Sequence, residues 1–159
     1  MKALIAFYSK TGNTETVSNA IKKALESNYE VDVLKIEMVK EYSSSLLHIN
    51  PRVLLDVALS RRPGIRPLGN LGSYDLICVG TPNWYGRTAP PVRTFLEKLT
   101  NVNGKRAIGF VTSGLRKESY SDELRTRLER KGLRVVKVLN LTLGEIDEPQ
   151  LREIKDIAI

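Results

Sequence analysis

Apolar residues fall in two kinds of run along this chain, and the two kinds alternate from one end to the other. Leu4 to Tyr8 is an unbroken apolar run of strand length. From Thr14 to Ser27 the apolar residues Val17, Ile21, Ala24 and Leu25 recur at helical spacing and mark one buried face. Val31 to Ile36 interleaves apolar and polar positions, the pattern of a second strand, and Leu76-Ile77-Cys78-Val79 is a third, continuous enough to predict burial on both faces. Pro91 to Leu99 reads as a helix with prolines at its start, where a missing N–H costs least. Ala107 to Val111 makes a fourth strand. Ser121 to Lys131 makes an Arg-rich helix, closed by Gly132 at the position favoured for a C-terminal cap. Val135 to Leu141 and Glu148 to Ile157 complete the series as a fifth strand and a short helix. Glu41 to Pro67 is the least regular stretch, because Pro51, Pro63, Gly64 and Pro67 interrupt any long helix and leave room for a brief one over Val53 to Arg61.

Strands alternating with helices predict parallel pairing, with helices on both faces of a doubly wound sheet. With no internal repeat or linker, the chain reads as a single domain over residues 1–159. Such sheets bind ligands at the carboxyl ends of their strands, where the strand order reverses. The loops after the first, third and fourth strands are therefore the places to look for chemistry.

The first of these loops is Ser9-Lys10-Thr11-Gly12-Asn13-Thr14. Gly12 permits a left-handed turn that lets successive N–H groups point into one concavity, and the hydroxyls of Ser9, Thr11 and Thr14 surround it. The helix that follows presents unpaired N–H groups at its positive end. The segment serves equally as a polar cap that starts the helix or as a cradle for a phosphate. The second loop is Thr81-Pro82-Asn83-Trp84-Tyr85-Gly86, with the chain's single Trp beside a Tyr. Either the two rings pack under a neighbouring loop or they offer faces on which a planar ligand stacks. The third is Thr112-Ser113-Gly114, where Gly114 would let backbone N–H groups approach a ligand's edge.

The first loop is not a Walker loop, nor a Gly-x-Gly-x-x-Gly turn. It resembles the Ser/Thr-x-Thr-Gly-x-Thr phosphate loop of the flavodoxin family, and Pro82 to Gly86 and Thr88 to Phe95 resemble that family's second loop and the helix after it. The resemblance covers nearly the whole chain. It implies a flavodoxin-like five-stranded parallel sheet in the order 2-1-3-4-5, with flavin mononucleotide (FMN) as cofactor. By the same resemblance, Ser9, Thr11, Asn13 and Thr14 hold the phosphate, Gly12 shapes the turn, and Lys10 adds its backbone N–H while its ammonium stays in solvent. Thr81, Pro82, Asn83, Trp84, Tyr85 and Gly86 border the flavin ring, and Thr112, Ser113 and Gly114 meet its pyrimidine edge. The resemblance further implies that the backbone at Gly86 reorients on reduction so that a carbonyl accepts a hydrogen bond from flavin N5, a change glycine makes at low steric cost.

Composition narrows the function. At 42% hydrophobic and 27% charged, the chain is globular rather than disordered. The lone Cys78 allows no internal disulfide, which fits a cytoplasmic protein, and the short N-terminal apolar run is neither a signal-peptide core nor a membrane span. Among catalytic groupings there is no Ser-His-Asp or Cys-His set and no metal spacing, and the only histidine, His48, lies in the irregular stretch and reads as structural or solvated. The bound flavin would thus supply the chemistry. The net charge of +7 comes without the interleaved aromatics of an RNA-binding sheet, so nucleic acid is not an expected partner. It departs from the acidic character common among free carriers of the family, and points instead to redox partners with acidic docking surfaces, met by a rim of Arg61, Arg62, Arg66 and Arg87. Electron transfer between redox proteins is the first expectation, and an NAD(P)H-dependent FMN or quinone reductase on the same fold is the alternative.

Overall fold

The structure, a computed structural model, describes residues 1–43, 49–68, 71–115, 117–142 and 146–157. His48 lies outside them. Five parallel strands form the body of the sheet: β1 (Lys2–Phe7), β2 (Glu30–Lys35), β3 (Leu76–Trp84), β5 (Arg106–Ser113) and β6 (Arg134–Thr142). Their order is β2-β1-β3-β5-β6, so the five parallel strands follow the expected 2-1-3-4-5 arrangement. The sixth strand, β4 (Arg87–Thr88), was not expected. It folds back antiparallel on the end of β3, pairing Asn83 with Thr88 and Trp84 with Arg87.

The continuous apolar runs are buried on both faces because each face carries helices. Along β1 the side chains of Ala3, Ile5 and Phe7 join a core with Val17, Ile21 and Leu25 of α1 (Asn13–Leu25) and Ile154 of α5 (Glu148–Ile157). Leu4, Ala6 and Tyr8 point the other way. They pack into a second core with Val53 and Val57 of α2 (Pro51–Ala58), Val92 and Phe95 of α3 (Pro90–Lys98), and Leu124 and Leu128 of α4 (Glu118–Arg130). β2, at the sheet edge, keeps Val33 exposed.

Close packing explains two glycines. A Cβ on Gly80 in β3 would sit 2.2 Å from the Phe110 ring and 2.9 Å from Phe7, so only glycine fits between these two aromatics. Gly132 has φ 84° and closes α4 with its N–H on the Glu129 carbonyl, the cap expected from the sequence.

The irregular stretch corrects the expectation for its helix. α2 begins at Pro51 and ends at Ala58, instead of spanning Val53 to Arg61. Asn50 caps it by accepting the Arg52 N–H at 3.0 Å, and Pro51 takes the first turn, so the proline starts the helix. Met38 bridges Ile65 antiparallel, and Met38, Tyr42, Val53, Val57 and Ile65 all bury into the second core. These described residues pack the stretch against the core shared with β1 and β3.

Candidate functional site

The carboxyl ends of β1, β3 and β5 bring the three polar loops together around one cleft of about 520 Å³. That volume suits a small-molecule ligand. Lys10, Thr11, Asn13 and Thr14 line it from the first loop, Pro82, Asn83, Trp84 and Tyr85 from the second, and Thr112, Ser113 and Gly114 from the third. Val53 of α2 closes one side, a residue the sequence did not single out. Ser9, Gly12, Thr81 and Gly86 do not line the cleft, though each is next in the chain to a residue that does.

In the first loop, Gly12 takes φ 95° as the N-cap of α1, and the Ser9 hydroxyl accepts its N–H at 3.1 Å. The cap makes no side-chain hydrogen bond, so the first-turn N–H groups have no capping side chain. An added Cβ at Gly12 would meet nothing within 4 Å. Gly12 therefore starts the helix, and the space beside it is open. Lys10 corrects one expectation: its ammonium lies 3.7 Å from Glu41 and its side chain is only 18% exposed. Glu41 also accepts the Tyr8 hydroxyl and the Met38 N–H, both at 3.1 Å, so one carboxylate ties the irregular stretch to the first loop. Thr14 is buried, and its Oγ1 lies 2.8 Å from Thr112 Oγ1, which locks the first loop to the third.

The second loop is a two-residue hairpin. Tyr85 at φ 54° and Gly86 at φ 79° both adopt positive φ, as a type I′ turn requires, and Asn83 Oδ1 accepts the Gly86 N–H at 3.0 Å. A tyrosine in this conformation is unusual and held in place by the hairpin around it. Trp84 makes T-shaped contacts with two tyrosines, with centroids 5.7 Å from Tyr8 at 89° and 5.5 Å from Tyr42 at 70°. Tyr42 is fixed in turn by donating to buried Asp56 at 2.8 Å, with the Arg52 guanidinium 4.8 Å over its ring. Burial, then Glu41, pushes the Tyr8 phenol well above its usual range, and burial with Asp56 does the same for Tyr42. Trp84 thus both packs under a neighbouring segment and lines the cleft, while Tyr85 stands half exposed at its mouth. Thr81 is fully buried and its hydroxyl accepts the Ala89 N–H at 3.0 Å, so it anchors the start of α3 from behind the cleft.

The cleft therefore has a hydroxyl- and amide-rich end at the α1 terminus and an aromatic end at Trp84 and Tyr85. A ligand with a phosphate at one end and a planar ring at the other matches both. Cys78 sits in β3 below, fully buried, and burial pushes its thiol up to about 12, which makes it an inert core residue.

Known proteins share this fold. The chain superposes on a candidate flavoprotein from Bacteroides eggerthii with a TM-score of 0.81 and 25% identity, covering 99% of this chain and 97% of that one. A flavoprotein from Lactobacillus acidophilus solved in complex with FMN matches with a TM-score of 0.72 and 24% identity, over 87% of this chain and 92% of its own. Among sequence relatives, an NAD(P)H dehydrogenase (quinone) from Rhodopseudomonas palustris is 28% identical over 109 residues, 67% of this chain and 51% of the relative. The chain spans about half the length of the curated relatives it matches. The sequence model of the flavodoxin family matches residues 2–153, and the chain belongs to that family.

Proposed function

We propose that the chain is a single flavin domain that binds FMN in this cleft and passes electrons between redox proteins. The observation that carries the reading is the pairing, within one 520 Å³ cleft, of an uncapped helix start with the Trp84 and Tyr85 rings. Thr11, Asn13, Thr14 and the first-turn N–H groups of α1 hold the phosphate. Trp84 and Tyr85 border the ring, and the backbone of Ser113 and Gly114 meets its polar edge. When bound, FMN accepts and releases one or two electrons, and the protein tunes that exchange. Tyr8 and Tyr42 set the angle of Trp84, and Val53 excludes water from the side of α2.

Partners dock beside the half-exposed Tyr85. Leu54 and Leu55 on α2 and Leu59 just after it are exposed, and Val53 of the same helix lines the cleft. Arg61, Arg62 and Arg66 each pair with a carboxylate, Asp56, Glu97 and Glu37 respectively, and Arg87 reaches the Ser60 hydroxyl. The Arg62–Glu97 and Arg66–Glu37 pairs are exposed on both sides and contribute little, so an acidic partner competes for these two arginines at low cost.

A reductase that takes electrons directly from NAD(P)H and passes them to a quinone is the second reading, favoured by the names of the curated relatives. Anaerobic stepwise photoreduction of the FMN-loaded protein, followed by NAD(P)H oxidation assays with a quinone acceptor, separates the two. The carrier reading predicts a populated one-electron-reduced state and no turnover of NADH or NADPH. Steady NAD(P)H consumption with quinone reduction contradicts it.

A further inference from the structure

A second groove, of about 210 Å³, runs between α3 and α4, away from the cleft. Five cationic side chains line it, Arg62, Arg93, Arg127, Arg130 and Lys131, and Glu97 is the one carboxylate lining it among the described residues. Glu97 pairs through its carboxylate with Arg62, and its backbone carbonyl accepts the Lys131 ammonium at 2.8 Å. Arg127 is held by Glu123, whose carboxylate also accepts the Thr88 N–H at 2.9 Å. Arg130 is exposed on the outer turn of α4.

Arg93 is the unusual member. It is only 3% exposed, its Nη2 donates to the Asp56 backbone carbonyl at 3.1 Å, and its Nε and Nη1 are buried without a hydrogen-bond partner. Burial, and then the neighbouring Arg127, pull its guanidinium down to about 10, so it remains charged at neutral pH beside a second cation. Orphaned N–H groups on a buried charge are costly, and a bound partner would satisfy them. The surrounding cations make that partner an anion.

We infer that the α3–α4 groove is an anion site that takes a phosphate group, with Arg93 at its floor and Arg127, Arg130 and Lys131 around it. A phosphate offers several charged acceptor oxygens to the planar forks of clustered arginines, which a single chloride cannot. The groove is less than half the volume of the cofactor cleft, which fits a phosphate and the atoms joined to it, and not a whole mononucleotide. The phosphate can arrive free, or as the 2′-phosphate of NADPH.

The test is calorimetric titration of the FMN-saturated protein with inorganic phosphate at constant ionic strength, with chloride as the comparison. Saturating FMN keeps phosphate out of the α1 cradle. Should FMN not bind, the groove variants below still tell the two sites apart, because the α1 cradle retains all its residues in them. The expected result is saturable phosphate binding that weakens by about tenfold or more in Arg130→Gln and in Lys131→Gln, two surface changes that leave the core intact. If NADPH binds, NADH does not, and phosphate competes with NADPH, the phosphate is nucleotide-borne. If NADPH binds no better than phosphate, the site takes the free ion. Phosphate that acts no differently from chloride, or that binds both variants as it binds the parent, overturns the inference.

Discussion

Thr14 Oγ1 and Thr112 Oγ1 lie 2.8 Å apart in a buried contact that joins the first turn of α1 to the end of β5. The residues stand in different elements, and both line the cleft. Removing either hydroxyl leaves the other buried and unpartnered, at a cost of about 1–3 kcal/mol, whereas removing both costs less than the sum. Thr14→Val and Thr112→Val should each lower the urea midpoint and weaken FMN binding, and the double variant should show favourable coupling in a double-mutant cycle. Strict additivity would mean the contact contributes nothing.

Tyr85 holds φ 54° at the mouth of the cleft, a conformation that costs a non-glycine residue about 1 kcal/mol. Asparagine tolerates it better. Tyr85→Asn should therefore leave the apoprotein as stable as the parent or more so, and weaken FMN binding by about tenfold through the lost ring contact. Thermal melts of the apoprotein and flavin titrations read the two effects separately. A variant that loses stability and keeps its affinity would show that Tyr85 is a packing residue.

Gly80 admits no side chain, because a Cβ there would overlap the Phe110 ring at 2.2 Å. Gly80→Ala should destabilise the fold by about 3 kcal/mol, at the upper end for overpacked cores. Gly114→Ala, at a position whose Cβ meets nothing within 4 Å, should leave the apoprotein's stability nearly unchanged. Chemical denaturation of both variants checks the contrast.

The buried acids give an alkaline limit. Cys78 rises from 9.0 to about 12 through burial, and the Tyr8 and Tyr42 phenols are raised as well. A raised acid is protonated in the folded chain while the unfolded chain ionises, so its contribution is complete below its unfolded value and is lost as pH climbs toward its folded one. Stability should hold up to about pH 9 and then fall by about 1.4 kcal/mol per pH unit for Cys78, the two tyrosines adding to the slope only above about pH 10. Urea midpoints between pH 8 and 11 measure this, and Cys78→Ala should lose stability less steeply across that range. A flat profile in the parent would contradict the burial of these groups.

The parts of the fold legible in the sequence were those in which a residue's pattern and its surroundings agree. The apolar runs at Leu4 and Leu76 lie between two helical layers, so continuity of hydrophobicity led directly to the central strands. The three loops were legible because strand-end position and residue chemistry coincided. Elsewhere the pattern misled. In α2 the apolar residues Leu54 and Leu55 face outward, so hydrophobicity did not mark the buried side or the bounds of the helix. The two residues of β4 are too few to leave a periodic signal. Thr81 has the chemistry of a ligand-binding loop yet points into the core, where the Ala89 N–H claims its hydroxyl. Val53 and Tyr42 reach the cleft and its tryptophan only through the tertiary path of the irregular stretch, which no local spacing encodes.

The most direct test of the account is titration of the purified apoprotein with FMN, followed by flavin fluorescence and the visible spectrum. The account predicts saturation at one FMN per chain, quenched fluorescence from contact with Trp84 and Tyr85, and a displaced visible band. FMN whose fluorescence and spectrum stay those of the free flavin at all protein concentrations would contradict it.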